Sequence, residues 1–247
     1  MHVARPSALR VIPALVLAIV FAALSVADLI AVFAVHDAWR PFTKPLLMPA
    51  LIGVVLLTSG RFDRVRSWLV MALLWSAAGD ALLLSRSDTA FVEGTLAFAL
   101  AHLSYIACFT LAGSGRGLVR RYPWVAIPYA LGWIAATAIV APHMGALALV
   151  AVPYSFLLTA MALVALNLVG RIPLRPAILA AAGAALFMSS DTNIAAARFV
   201  PALAPPHAEF IIMLMYLAAQ VSIAAGIVSI QRSAARERAI GAGLERY

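Results

Sequence analysis

The sequence predicts an all-α, polytopic integral membrane protein: about eight transmembrane helices in one bundle, with both termini cytoplasmic. Three observations carry this. Of 247 residues, 64% are hydrophobic and 11% are charged, whereas a soluble domain carries about a quarter charged residues. Water cannot solvate such a surface on all sides, and lipid hydrocarbon can. The apolar residues gather into runs of about 20, the length that crosses a bilayer core. Basic residues mark alternate ends of those runs.

In chain order, the first run extends from Val11 to Val35, after Arg5 and Arg10. It exceeds the roughly 7–15 apolar residues of a signal-peptide core and reads as an uncleaved span. Pro45 to Thr58 is short for a second span, and its start belongs nearer Pro41. Trp68 to Leu84 and Thr95 to Leu111 follow as the third and fourth. The turn Gly113-Ser114-Gly115-Arg116-Gly117 leads to Pro123 to Val140 and then Gly145 to Val169. After Gly170-Arg171-Ile172-Pro173 come Pro176 to Phe199 and Glu209 to Ile230. The loops have no room for a soluble domain. Residues 1–247 therefore read as one transmembrane domain, with 1–10 and 231–247 as short basic cytoplasmic tails.

Orientation follows from Lys and Arg. With a cytoplasmic N-terminus, one side holds Arg5, Arg10, Arg61, Arg64, Arg66, Arg116, Arg120, Arg121, Arg171, Arg175, Arg232, Arg236, Arg238 and Arg246. The other holds only Arg40, Lys44, Arg86 and Arg198. This bias supports an even span count and a cytoplasmic location for both termini; the expected location is a bacterial inner (cytoplasmic) membrane. The bias also explains the net charge of +8 as loop anchoring rather than nucleic-acid binding. The single Cys108 rules out an intrachain disulfide.

Ionisable groups within a span are costly and mark function by default. Asp80 lies in the third span, His102 and Tyr105 in the fourth, Asp191 in the seventh, and Tyr216 and Gln220 in the eighth, one turn apart. Spans three and seven run outward and carry their Asp late. Spans four, six and eight run inward and place His102, Tyr105, Tyr154 and Tyr216 early to middle. Lys44 and Arg198 stand near the outer ends of spans two and seven, and Gln220 nearer the midplane. These positions converge on one polar cavity toward the non-cytoplasmic side. Asp28 and Glu93 read as interfacial, and Arg86 and Asp88 as solvated. Gly79, Gly94 and Gly183 suit close helix approach. Asp80 precedes Tyr105 by the same 25 residues that separate Asp191 from Tyr216, an echo of a four-plus-four repeat. Single, scattered histidines without HxxxH or CxxC spacing suggest no metal site. No cofactor is expected, and there is no Gly-rich phosphate loop or Gly-x-Ser-x-Gly elbow.

Several motifs occur in one order. Lys44-Pro45, Gly79-Asp80 with Leu82-Leu83, the stripe Phe91, Gly94, Phe98, His102, Tyr105, the segment Gly183-Ala184 with Phe187 and Ser190-Asp191, and Met213 with Tyr216 and Gln220 together resemble the YhhN family, the transmembrane lysoplasmalogenases. The likeness runs from Lys44 to Gln220. It implies a hydrolase for the vinyl-ether bond of lysoplasmalogens, which releases a fatty aldehyde and a glycerophospho-head group. It also implies Asp80 and Asp191 as catalytic candidates.

Vinyl-ether hydrolysis protonates the alkene carbon remote from oxygen. Water then attacks the oxocarbenium ion, and the hemiacetal collapses. A proton donor, an anion and a base for water are needed, and two carboxyls in different environments supply them. Asp80 and Asp191 fill these roles in either order, with His102 and Tyr105 orienting a carboxyl or the water. Lys44 and Arg198 would bind the lipid phosphate, and Tyr154, Tyr216 and Gln220 complete the expected substrate-binding set. The expected partners are a lyso-ether phospholipid and the bilayer itself. The alternative is a proton-coupled lipid transporter, or a lipid-binding protein without hydrolytic activity, that uses the same buried Asp pair.

Overall fold

The computed structural model describes residues 8–34, 37–58, 62–85 and 87–244. The expected tail residues 1–7 and 245–247, together with Arg61 and Arg86, lie outside them. The described residues form helices α1 (Ala8–Phe33), α2 (Arg40–Thr58), α3 (Arg64–Leu82), α4 (Asp88–Leu111), the single turn α5 (Leu118–Arg121), α6 (Ile127–Val140), α7 (Ala148–Leu166), α8 (Leu174–Phe199) and α9 (Ala208–Leu244). There is no strand among them, only an isolated bridge from Val169 to Ile172. Seven helical segments are long and apolar enough to cross a membrane. The helix α3 matches α2 in length but buries Arg66, Ser76 and Asp80, and these lower its hydropathy. It is not among the seven, so the described residues hold seven candidate spans where the sequence led us to expect about eight.

The helices α1, α2, α3, α4, α7, α8 and α9 form a closed ring in which each packs on the next and α9 returns to α1. The α8–α9, α3–α4 and α1–α2 pairs are packed most extensively. The helix α9 also touches α2 and α3 across the ring. By contrast, α6 stands outside and rests on α7 and α8. Its Ile127, Leu131, Ile134 and Ile139 are exposed, as suits a lipid-facing helix.

The boundaries differ from the sequence reading where caps and prolines decide them. The helix α2 starts at Arg40, so Lys44 lies a full turn inside it. Pro45 and Pro49 remove two backbone donors from this helix. The Ser87 side chain caps α4 by accepting from the Ala90 N–H. That cap places Asp88 and Glu93 inside the helix, about two turns before the expected start at Thr95. Asp63 caps α3 in the same way and also accepts from Gln231, tying α3 to α9. The basic segment read as a tail from residue 231 instead continues α9 as helix through Leu244. At the same end, Arg171 donates to the carbonyls of Thr110 and Gly113 at the C-terminus of α4, where a cation opposes the helix dipole.

Two of the small residues singled out in the sequence do permit close approach. A Cβ on Gly183 would meet the Ala219 carbonyl oxygen at 2.8 Å and the Ile223 nitrogen at 2.9 Å. Both are backbone atoms of α9 and can yield only if the helix moves. A Cβ on Gly79 would meet the Phe98 ring at 2.6 Å. Gly183→Ala is therefore expected to destabilise the fold by about 1–3 kcal/mol through overpacking. Gly132→Ala, with nothing within 4 Å, is expected to be neutral. Thermal unfolding in detergent compares the two.

Candidate active site

The first buried network joins α2, α3 and α9. The Tyr216 hydroxyl donates to Asp80 Oδ2 at 2.6 Å, and Lys44 Nζ lies 3.4 Å from Asp80 Oδ1. The helix α3 ends two residues after Asp80, so the carboxylate sits close to that end of the bundle. Tyr216 and Gln220 share one face of α9, and Gln220 accepts from the Tyr105 hydroxyl of α4. Tyr105, Gln220 and Asp80 are all buried.

The second network joins α4, α7 and α8. The Tyr154 hydroxyl donates to Asp191 Oδ2, and His102 Nε2 lies 3.0 Å from the same hydroxyl and 3.9 Å from Asp191 Oδ2. With the single hydroxyl proton directed at Asp191, the His102 contact is an Nε2–H donation to the tyrosine oxygen. The Nδ1 atom of this fully buried ring has no hydrogen-bond partner among the described residues.

An aromatic wall connects the networks. The Phe187 ring packs edge-on against His102 on one side and Tyr216 on the other, with centroids 4.9 and 5.4 Å away. Phe98 packs against both Phe187 and Tyr216.

Two cavities adjoin this region. The first, about 360 Å³, lies between α4, α6, α7 and α8, and Asp191 and Tyr154 are in its largely apolar wall. Trp133 of α6 also lines it and is held by an indole N–H bond to Ser155 Oγ at 2.9 Å. The second, about 520 Å³, is lined by Arg40, Lys44, Arg198 and Glu209. Leu83, Phe91 and Ile194 border both, so an apolar groove meets a cationic mouth along one edge.

The YhhN family model matches residues 39–227. The chain belongs to the YhhN family. It is 36% identical over 173 residues to a lysoplasmalogenase of Mycobacterium bovis, covering 66% of this chain and 61% of that protein. It is 37% identical over 159 residues to lysoplasmalogenase TMEM86B of Sus scrofa, covering 63% of this chain and 61% of that one. The chain thus spans about 61% of the length of the curated relatives it matches. No solved structure matches it.

In this YhhN protein the expected site residues do not meet in one cavity. Asp191, Tyr154 and His102 form one network. Asp80, Lys44 and Tyr216 form another, extended inward by Tyr105 and Gln220. Asp80 lines neither the groove nor the mouth. Arg198 is at the mouth, 2.6 Å from Asp88 and stacked over Phe91. Asp88, expected to be solvated, is 76% exposed and pairs with Arg198 at the surface. Asp28, expected at the interface, is fully buried and accepts from Thr43 Oγ1 at 2.7 Å. Sequence reasoning passed over Arg40, paired with Glu209 at 3.0 Å across the mouth, and Ser76, buried one turn below Asp80. The i−4 spacing from Asp80 is the signal that would have found Ser76. For Arg40 the signal is its place directly before the helix-starting Pro41.

Proposed function

We propose that this chain hydrolyses the vinyl-ether bond of a lysoplasmalogen-type lysophospholipid to a fatty aldehyde and a glycerophospho-head group, by carboxyl acid/base catalysis. The observation that carries the reading is the junction of an apolar groove, with Asp191 in its wall, and a mouth lined by Arg40, Lys44 and Arg198. A single-chain lipid has this shape in chemical terms: an alkyl chain, a reactive bond, then a phosphate. The names of the relatives support the same reading.

In the proposed reaction the chain lies in the groove and the phosphate in the mouth. The vinyl ether sits near Leu83, Phe91 and Ile194. Asp191 delivers its proton to the alkene carbon remote from the ether oxygen, oriented by Tyr154 and His102. Asp80, one turn before Leu83 and behind the cavity walls, is the buried anion that offsets the charge of the resulting oxocarbenium ion. Lys44 links its charge to the phosphate site, so that a bound phosphate draws the ammonium and leaves Asp80 negative toward the cation. Water adds to the carbon, its proton passes to Asp80, and the hemiacetal collapses to aldehyde and glycerol hydroxyl. The low-dielectric surroundings strengthen each of these charge interactions.

The fold serves this chemistry as one transmembrane domain in a bacterial inner membrane. Both termini are cytoplasmic, the mouth faces away from the cytoplasm, and the Arg-rich end faces it. The head group is phosphocholine or phosphoethanolamine.

Purified protein in detergent is expected to release aldehyde from at least one member of a lyso-lipid panel. A transporter using the same residues releases none. Arg198→Met is expected to raise KM about tenfold with kcat little changed, a loss of about 1.4 kcal/mol of phosphate binding. Its exposed pair with Asp88 contributes at most about 1 kcal/mol to folding, so the variant should remain intact. A fall in kcat at unchanged KM would remove Arg198 from the phosphate site.

A further inference from the structure

Below Asp80 the two faces that hold it continue inward. Ser76 precedes Asp80 by one turn on α3, and Gln220 follows Tyr216 by one turn on α9. Because Tyr216 bonds Asp80, the next turn of each helix brings Ser76 and Gln220 to one level. The Tyr105 hydroxyl closes the third side, bonded to Gln220 Oε1 and beside Ser76. Ser76 and Gln220 are both 0% exposed. Yet among the described residues neither Ser76 Oγ, beside the Tyr105 hydroxyl, nor Gln220 Nε2, beside that of Tyr216, makes a hydrogen bond of good geometry. One buried unpaired polar atom is costly. Two on facing helices, beside a third hydroxyl, form a set of donors and acceptors of the kind that holds a buried water, which needs two to four such partners.

We propose that Ser76, Gln220 and Tyr105 form a water-binding site beneath Asp80 that supplies the nucleophile of the hydrolysis. The reaction consumes one water per turnover, and the groove that holds the alkyl chain is largely apolar and excludes it. Polar groups one turn below Asp80 solve this supply problem, because a water they hold is released toward the carbon past the Asp80 carboxylate. The water oxygen forms the new bond to the oxocarbenium carbon, and one of its protons passes to the Asp80 carboxylate. Gln220 Nε2 donates to the water, Ser76 Oγ accepts from it or donates to it, and the Tyr105 oxygen offers a further acceptor. The supply role rests on the hydrolase reading above, but the existence of the site does not.

The two parts are tested separately. Thermal unfolding in detergent of Ser76→Ala needs no activity. In a dry site this change removes an orphaned polar atom and leaves the melting temperature unchanged or higher. In a water-holding site Ser76→Ala breaks a bridged network and lowers it by a few degrees. The second measurement is the product ratio when the wild type and Ser76→Ala turn over a vinyl-ether lysolipid in aqueous methanol. Capture of the oxocarbenium ion by methanol gives a mixed acetal instead of aldehyde. Being a ratio, it does not depend on how much protein is folded. Loss of the held water is expected to raise the acetal fraction severalfold while kcat for aldehyde falls about tenfold. Melting temperatures that stay or rise overturn the site. A lowered melting temperature with an unchanged product ratio overturns the supply role. If the wild type turns over no lysolipid, the hydrolase reading fails and the melting data alone decide whether the site exists.

Discussion

Asp191→Asn is expected to lower kcat for aldehyde release on the order of a thousandfold, with KM within about threefold of the wild type. General acid catalysis contributes roughly 10²–10⁴ in rate, and Asn can accept the Tyr154 hydrogen bond but has no proton to give. Because the Asn carboxamide is close in size and retains that acceptor, the α7–α8 contact survives and the melting temperature should move little. Tyr154→Phe separates orientation from proton donation. It cuts the link between His102 and Asp191 while leaving the carboxyl in place, so the expected fall is smaller, about tenfold. Steady-state aldehyde release on detergent-purified variants measures both. Full activity in Asp191→Asn would take the proton-delivery step away from the groove wall.

Much of this arrangement was legible in the sequence, because burying a charge in lipid is expensive whatever its partners are. Asp80, Asp191 and His102 stood out on that ground, and helix direction put them toward one side, with Lys44 read at the mouth. The pairings were not legible. Asp80 meets Tyr216, 136 residues away, rather than the Tyr105 of its own half, and Asp191 meets Tyr154, so the 25-residue echo gave neither pairing. Which helices adjoin is set by packing of small residues such as Gly183 against the α9 backbone, and apolar periodicity says little of that when both lipid and core are apolar. The same ambiguity hid the peripheral position of α6, which reads like any other span and lies outside the ring. Asp28 was misjudged because nearness to a span end suggests water, whereas its real environment is Thr43 of the neighbouring helix.

The Lys44–Asp80 pair offers a stability effect of comparable size, and its sign can be worked out from exposure. The Lys44 side chain is 12% exposed and Asp80 3%, so this is a buried pair and not a surface one. Removing one member of a buried pair costs about 3–5 kcal/mol because the other is left uncompensated. The cost should be unequal. In Lys44→Met the carboxylate stays buried with only the Tyr216 hydroxyl to meet it. In Asp80→Asn the flexible lysine stem lets the ammonium turn toward the mouth that it already lines. Lys44→Met is therefore expected to be the more destabilising single change. The double variant Lys44→Met/Asp80→Asn, with no unpaired charge, should recover most of the loss, giving a coupling energy of about 2 kcal/mol or more in a double-mutant cycle. That double variant also isolates the chemistry, since it is expected to be stable and still inactive, lacking the anion that offsets the charge of the oxocarbenium ion. Denaturation in mixed detergent and aldehyde release on the same four proteins give both readings. Additive single effects would mean that the 3.4 Å contact couples nothing, and activity in the stable double variant would reduce Asp80 to a structural partner of Lys44.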